Sequence, residues 1–185
     1  CIRDSSTIVD NVCESNNSSS QGAALYLSGS QNVDGTMLTM FNSIVYGNTP
    51  IDDQLYIDPN NDNFDIDHYI SYSLLHGTDI NNYEDGIFEA NPEFADSTYV
   101  LHERSPAIGA GSDESENTEG DEIYPPTVDI LGNARPIPDG SNPDLGAYEH
   151  ELAVTPYPAL VENLTAEPQH MSVELEWDYH DEQDV

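Results

Sequence analysis

A chain that repeats itself at a fixed spacing has few folds open to it, and this chain does. Leu25-Tyr26-Leu27 returns 30 positions later as Leu55-Tyr56-Ile57. Ser43-Ile44-Val45-Tyr46-Gly47 returns, again 30 later, as Ser73-Leu74-Leu75-His76-Gly77. The clusters are short, apolar or β-branched, and bounded by Asn, Asp, Ser and Gly, as strands between turns are. A repeat this short cannot bury its own apolar face, so it must stack on the next. The offsets predict a β-solenoid in preference to a β-sandwich, whose strands are also regularly spaced. An earlier copy, Thr7-Ile8-Val9-Asp10-Asn11, sets Ile8 36 positions before Ile44. Its extra length is assigned to a polar loop from Glu14 to Gln21. Asn11, Asn42 and Asn48 flank the clusters and are read as turn residues, which bond backbone groups and tolerate left-handed geometry. Helical periodicity is poor, and Gly, Pro and Asn interrupt every candidate helix.

Charge narrows the partners. The chain carries 36 acids against three arginines (Arg3, Arg104 and Arg135), a net charge of −33, with no lysine. Such a surface repels phosphate backbones, which excludes nucleic acid as a partner, and it disfavours anionic lipid. No apolar run is long enough to span a membrane. The reading that fits is an extracellular or cell-surface protein from a salty or calcium-rich setting, kept soluble by its acidic surface. The 11 tyrosines and the periodic apolar clusters argue against disorder. Cys1 and Cys13 are close enough in sequence for a short bridged loop in an oxidising compartment, and two cysteines leave the pairing open.

Gly22-Ala23-Ala24-Leu25-Tyr26-Leu27 and Asn42-Ser43-Ile44-Val45-Tyr46-Gly47-Asn48 resemble the coils of bacterial right-handed parallel β-helix proteins. Two later segments resemble their C-terminal ending. One runs from Ala90-Asn91-Pro92-Glu93-Phe94 through Ser105-Pro106-Ala107-Ile108-Gly109. The other runs from Asp129-Ile130-Leu131-Gly132-Asn133-Ala134-Arg135-Pro136 to Pro143-Asp144-Leu145-Gly146-Ala147-Tyr148-Glu149. Together they look like the terminal module called choice-of-anchor Q, over roughly residues 5–150. The resemblance implies an all-β fold, the end of a right-handed parallel β-helix, with further coils upstream. A solenoid end needs covering. The irregular, Pro-rich stretch from Pro125 to Pro143 is expected to be that cap, since proline offers no N–H to a pairing strand. Residues 112–122 are an acidic insertion that departs from the pattern. Arg135 is expected to clamp Asp129, Asp144 or Glu149.

The chain divides, on this reading, into coils and the start of the terminal module (1–111), the insertion and cap (112–150), a proline-spaced linker (151–160) and a last segment (161–185). In that segment Val161–Glu167 and Ser172–Trp177 alternate apolar and polar residues, as two strands do. They resemble the opening of a fibronectin-type-III-like sandwich with Trp177 in its core. Two strands do not make a sandwich, so the chain is expected to be a fragment.

Parallel β-helices include polysaccharide lyases and some glycosidases. Lyase chemistry needs a base and a cation for the uronate carboxylate, and lysine is absent. Hydrolysis needs paired carboxylates at a set separation. Asp62, Asp65, Asp67 and Glu84 are candidates that nothing distinguishes from ordinary loop acids. The six histidines show no metal-ligand spacing. Calcium is the best ligand expectation. Asp58, Asn60, Asp62, Asp65 and Asp67 place oxygens at near-alternating positions, although Asn63 and Tyr69 stand where a calcium loop wants Gly and Glu. The acidic run from Asp113 to Glu122 is a second such stretch. The expectation is a non-catalytic stalk, adhesin or display scaffold, with polysaccharide or cell-surface partners. The alternatives are part of a carbohydrate-active enzyme with its catalytic coils upstream, and a calcium-dependent binding module.

Overall fold

A computed structural model of the chain describes residues 2–14, 22–28, 36–51, 54–57, 66–77, 83, 85–155, 162–169 and 172–178. The described residues are all-β, with no α-helix. The chain divides into two compact units, Cys1–Thr155 and Pro156–Val185.

In the first unit, strands β1 (Ile2–Asp4), β4 (Thr36–Phe41) and β7 (Ile66–Ile70) form one parallel sheet. Strands β2 (Thr7–Val9), β5 (Ile44–Tyr46) and β8 (Leu74–Leu75) form a second. Strands β3 (Leu25–Leu27) and β6 (Leu55–Ile57) form a third. Each strand pairs with its counterpart from the next repeat. Leu25 faces Leu55, and Ile44 faces Leu74, at the offset of 30 visible in the sequence. The first repeat corrects the expected offset of 36. Thr7 pairs with Ile44, and Ile8 with Val45, a shift of 37. The polar residues fix this register: Ser6 N donates to Ser43 Oγ, and Asn11 N to Asn48 Oδ1. Matching Ile8 to Ile44 would have turned every side chain of β2 to the wrong face.

The chain turns at equivalent corners. Ser5, Asn42 and Tyr72, between consecutive strands, have φ of 43°, 49° and 41°. Asp10, Gly47 and Gly77, just beyond the second sheet, have φ of 54°, 68° and 62°. Left-handed geometry is uncommon outside glycine, though Asn and Asp tolerate it. Asn42 and Asn48 act as expected of turn residues. Asn42 bonds the Ser112 backbone through both Oδ1 and Nδ2, and Asn48 Nδ2 donates to Ile8 O.

Side-chain alternation along the second sheet builds two cores. Val45 and Leu75 point inward, joining Leu27, Leu38, Met40, Leu55 and Ile70. Ile44 and Leu74 point the other way, onto Leu101, Ala107, Ile108 and Leu145. The terminal module therefore packs against the flank of this sheet. This changes the expected role of the Pro-rich stretch. Its C-terminal flank reaches back to early strands, where Gly146 N donates to Asn42 O and Ala147 N to Thr7 Oγ1. The outer edge of β8 is covered instead by residues 85–88, with Phe88 bridging Leu74. The physical reason is Ile44 and Leu74: both are fully buried, and a cap over the end alone would have left them in water.

The acidic insertion forms a small hairpin, β9 (Ser115–Glu116) against β10 (Glu122–Ile123). Asn117 Oδ1 closes its turn by accepting from Glu119 N and Asp121 N. In the second unit, β11 (Glu162–Gln169) and β12 (Ser172–Asp178) pair antiparallel, with an irregularity between Glu162 and Thr165. Cys1 lies outside the described residues, and with it the question of a bridge to Cys13.

Candidate functional site

The most organised polar cluster lies in the terminal module. Asp129 folds its own loop: Oδ1 accepts from Leu131 N and Asn133 N, and Oδ2 from Asn133 Nδ2 and Glu149 N. Arg135 then meets Glu149 across a buried ion pair, Nε to Oε2 at 2.6 Å, and Arg135 Nη2 donates to Gly146 O at 2.9 Å. Glu149 Oε1 also accepts from Ile137 N at 3.2 Å. Asp144 is fully buried and faces no cation directly. Its oxygens accept from Gly109 N at 2.7 Å and His150 N at 2.6 Å, which ties the segment around Ala107 to the module's end.

The electrostatics follow from counting charges. Asp129, Asp144 and Glu149 are buried around one arginine. Burial pushes the Asp144 carboxyl up to about 7, with Glu149 adding to the rise and the two N–H groups and Arg135 opposing it. For Asp129, burial raises the pKa, but hydrogen bonds from Asn133, Glu149 and Leu131 outweigh it and hold the group below its usual value. Asp4, at the end of β1, is raised by burial, an effect Arg135 partly offsets. Of the partners expected for Arg135, Glu149 is the one it engages. Asp129 and Asp144 support the clamp through backbone groups.

A groove of about 770 Å³ separates this module from the first strands. Asp4, Ser5, Ser6 and Asn11 line one side, and Val128, Asp129, Ile130 and Arg135 the other. It adjoins a smaller groove of about 350 Å³ that shares Ile8 and Ile130 and adds Tyr99 and Tyr148. Ser5 Oγ is the one buried side-chain polar atom without a hydrogen-bond partner among the described residues. The sequence marked Asp129 and Arg135 as a clamp but did not point to the groove they border, because its two walls are more than a hundred residues apart. A third groove, about 270 Å³, sets Tyr69 and Tyr72 beside Asp113, Glu114, Glu116 and Glu122 of the acidic hairpin.

Of the expected calcium residues, Asp58, Asn60, Asp62 and Asp65 lie outside the described residues, as does Glu84. Asp67 is exposed on β7, opposite Met37. Among the described residues no three His, Cys, Asp or Glu side chains converge as metal ligands would, the acidic hairpin included. The described histidines have local roles. His76 stacks on Tyr46 with centroids 4.6 Å apart, and His68 meets the edge of Tyr83 at 6.0 Å. The His102 and His150 rings accept from the backbone two residues on. No family model matches this chain, and neither does any curated protein or solved structure.

Proposed function

We propose that the first unit is the end of a right-handed parallel β-helix that serves as a non-catalytic scaffold, a stalk or display segment at the cell surface. The parallel pairing of each strand with its counterpart one repeat later supports the coil reading, because three sheets fed in turn by one chain are what stacked coils require. The observation that carries the scaffold reading is the use made of Arg135. It is held by Glu149 and Gly146 inside the module, at 1% side-chain exposure, so it acts as a structural clamp even where it borders the 770 Å³ groove. Asp129 and Asp144 are likewise bonded to backbone, and both hold the module together. The second unit's strand pair is proposed as the start of a fibronectin-type-III-like sandwich.

The test is turnover of a panel of plant and algal polysaccharides with calcium present, read as new unsaturated or reducing ends. No product is expected from any polymer. Product from one would overturn the scaffold reading in favour of a carbohydrate-active enzyme.

A further inference from the structure

Residues 150–155, the last of the first unit, lie as a strap against the segment Ser105–Gly111. At the far end Thr155 Oγ1 donates to Ser105 O at 2.9 Å. In the middle, Leu152 packs on the core that holds Ala107 and Ile108. Ala153 O there comes so near Gly109 that a Cβ on that residue would run into it. At the near end His150 N donates to Asp144 Oδ2 at 2.6 Å, and the His150 ring accepts from Leu152 N. The other oxygen of Asp144 accepts from Gly109 N at 2.7 Å. One carboxyl thus joins the strap to the segment beneath it.

The surroundings of that carboxyl decide when the join holds. Asp144 is fully buried. Glu149 faces it, with both oxygens 3.4 Å from Asp144 N. Arg135, the cation of the cluster, is committed to Glu149 and to Gly146 O. Asp129, the third acid, is turned to Glu149 N and its own loop. Ser105–Gly111 brings no ionisable side chain, and the strap brings His150 and the exposed Glu151. An ionised Asp144 is therefore a second buried carboxylate beside a guanidinium already paired, a charge that water would stabilise better. Burial outweighs the two N–H bonds and raises the group to about 7.

We infer that residues 150–155 are a proton-operated strap: Asp144 holds it down while protonated, and loss of that proton favours a lifted state in which the carboxylate is hydrated and Leu152 leaves the apolar face of Ala107 and Ile108.

Native-state amide exchange, corrected for the intrinsic pH dependence of exchange, tests this. The N–H groups of His150 and Leu152 are expected to exchange by local opening, faster than those of Leu74 and His76 between the parallel strands, and without response to urea below the unfolding transition. Their protection is expected to fall about tenfold per pH unit from pH 5 to 7 and to level off above, because the lifted state has released a proton that the closed state keeps. Asp144→Asn is expected to make it independent of pH. Thr155→Val, which loosens the far end alone, is expected to speed exchange and leave the slope unchanged, and it serves where the first variant does not fold. Strap groups as protected as those of the strands would overturn the inference, and so would protection independent of pH in the wild type. A strap that loosens as pH falls, or a slope that survives Asp144→Asn, would also overturn it and assign the response to His150, whose ring loses its bond from Leu152 N on protonation.

Discussion

Asp144 is where residue-scale electrostatics has a measurable consequence. Its folded pKa is raised to about 7 from 3.8. Between those values the native state keeps a proton that the unfolded chain has released, so the stability this group contributes is complete below about 3.8 and is lost as pH rises through about 7. Asp129 acts in the opposite sense and lower, losing its contribution only as pH falls through its depressed pKa. Asp144→Asn removes the titration. It also sets an amide donor against one of the N–H groups of Gly109 and His150, at a cost of about 1–3 kcal/mol. Urea melts from pH 4 to 8 are expected to show the wild type ahead at pH 4 and its lead shrinking toward pH 8. A pH-independent difference would mean that Asp144 titrates as an ordinary carboxyl. Arg135→Ala leaves Glu149 buried without a counter-charge and is expected to cost about 3–5 kcal/mol in the same melts. The clamp was legible in the sequence because a lone cation among acids has few options. The neutralised Asp144 was not, because burial is set by Ala107, Leu145 and the fold around them.

At the scale of elements, register and docking are coupled through Asn42. Its left-handed φ turns the chain from β4 into β5, while its amide holds the Ser112 backbone, so one side chain links the parallel strands to the module. Asn42→Gly keeps the conformation and loses two hydrogen bonds; Asn42→Ala loses both the bonds and the tolerated geometry. Both variants are expected to lower stability, Gly by about 1–3 kcal/mol and Ala by about 1 kcal/mol more. Equal losses would show that the bonds alone matter. The strands themselves were readable from apolar clusters at a common offset of 30. The first repeat misled by one residue because Ile8 and Ile44 look alike, while the serine and asparagine pairs that set the pairing carry no hydrophobic signal. The lateral seat of the terminal module was hidden for a related reason. A buried strand with apolar residues on both faces reads the same whether its second face meets a neighbouring coil or a returning loop.

For the whole molecule the dominant quantity is the −33 charge, spread over surface that holds almost no compensating base. Repulsion among exposed carboxylates opposes compaction, and salt weakens it: the screening length falls from about 10 Å at 0.1 M to about 3 Å at 1 M. Stability is therefore expected to rise with sodium chloride across that range, contrary to a fold held by surface ion pairs, which salt would weaken. Divalent ions separate screening from binding. At matched ionic strength, calcium and magnesium are expected to raise the melting temperature equally, as two ions of one charge acting on a diffuse acidic surface. A rise seen with calcium alone, and abolished by Asp62→Asn with Asp65→Asn, would instead mark residues 58–67 as a calcium loop, since a ligand stabilises only the state that binds it. Calcium is the larger ion and accepts irregular oxygen cages, whereas magnesium demands near-octahedral geometry. That contrast makes the pair of ions a discriminating probe for a loop rich in Asp and Asn without the glycine and terminal glutamate of a regular site.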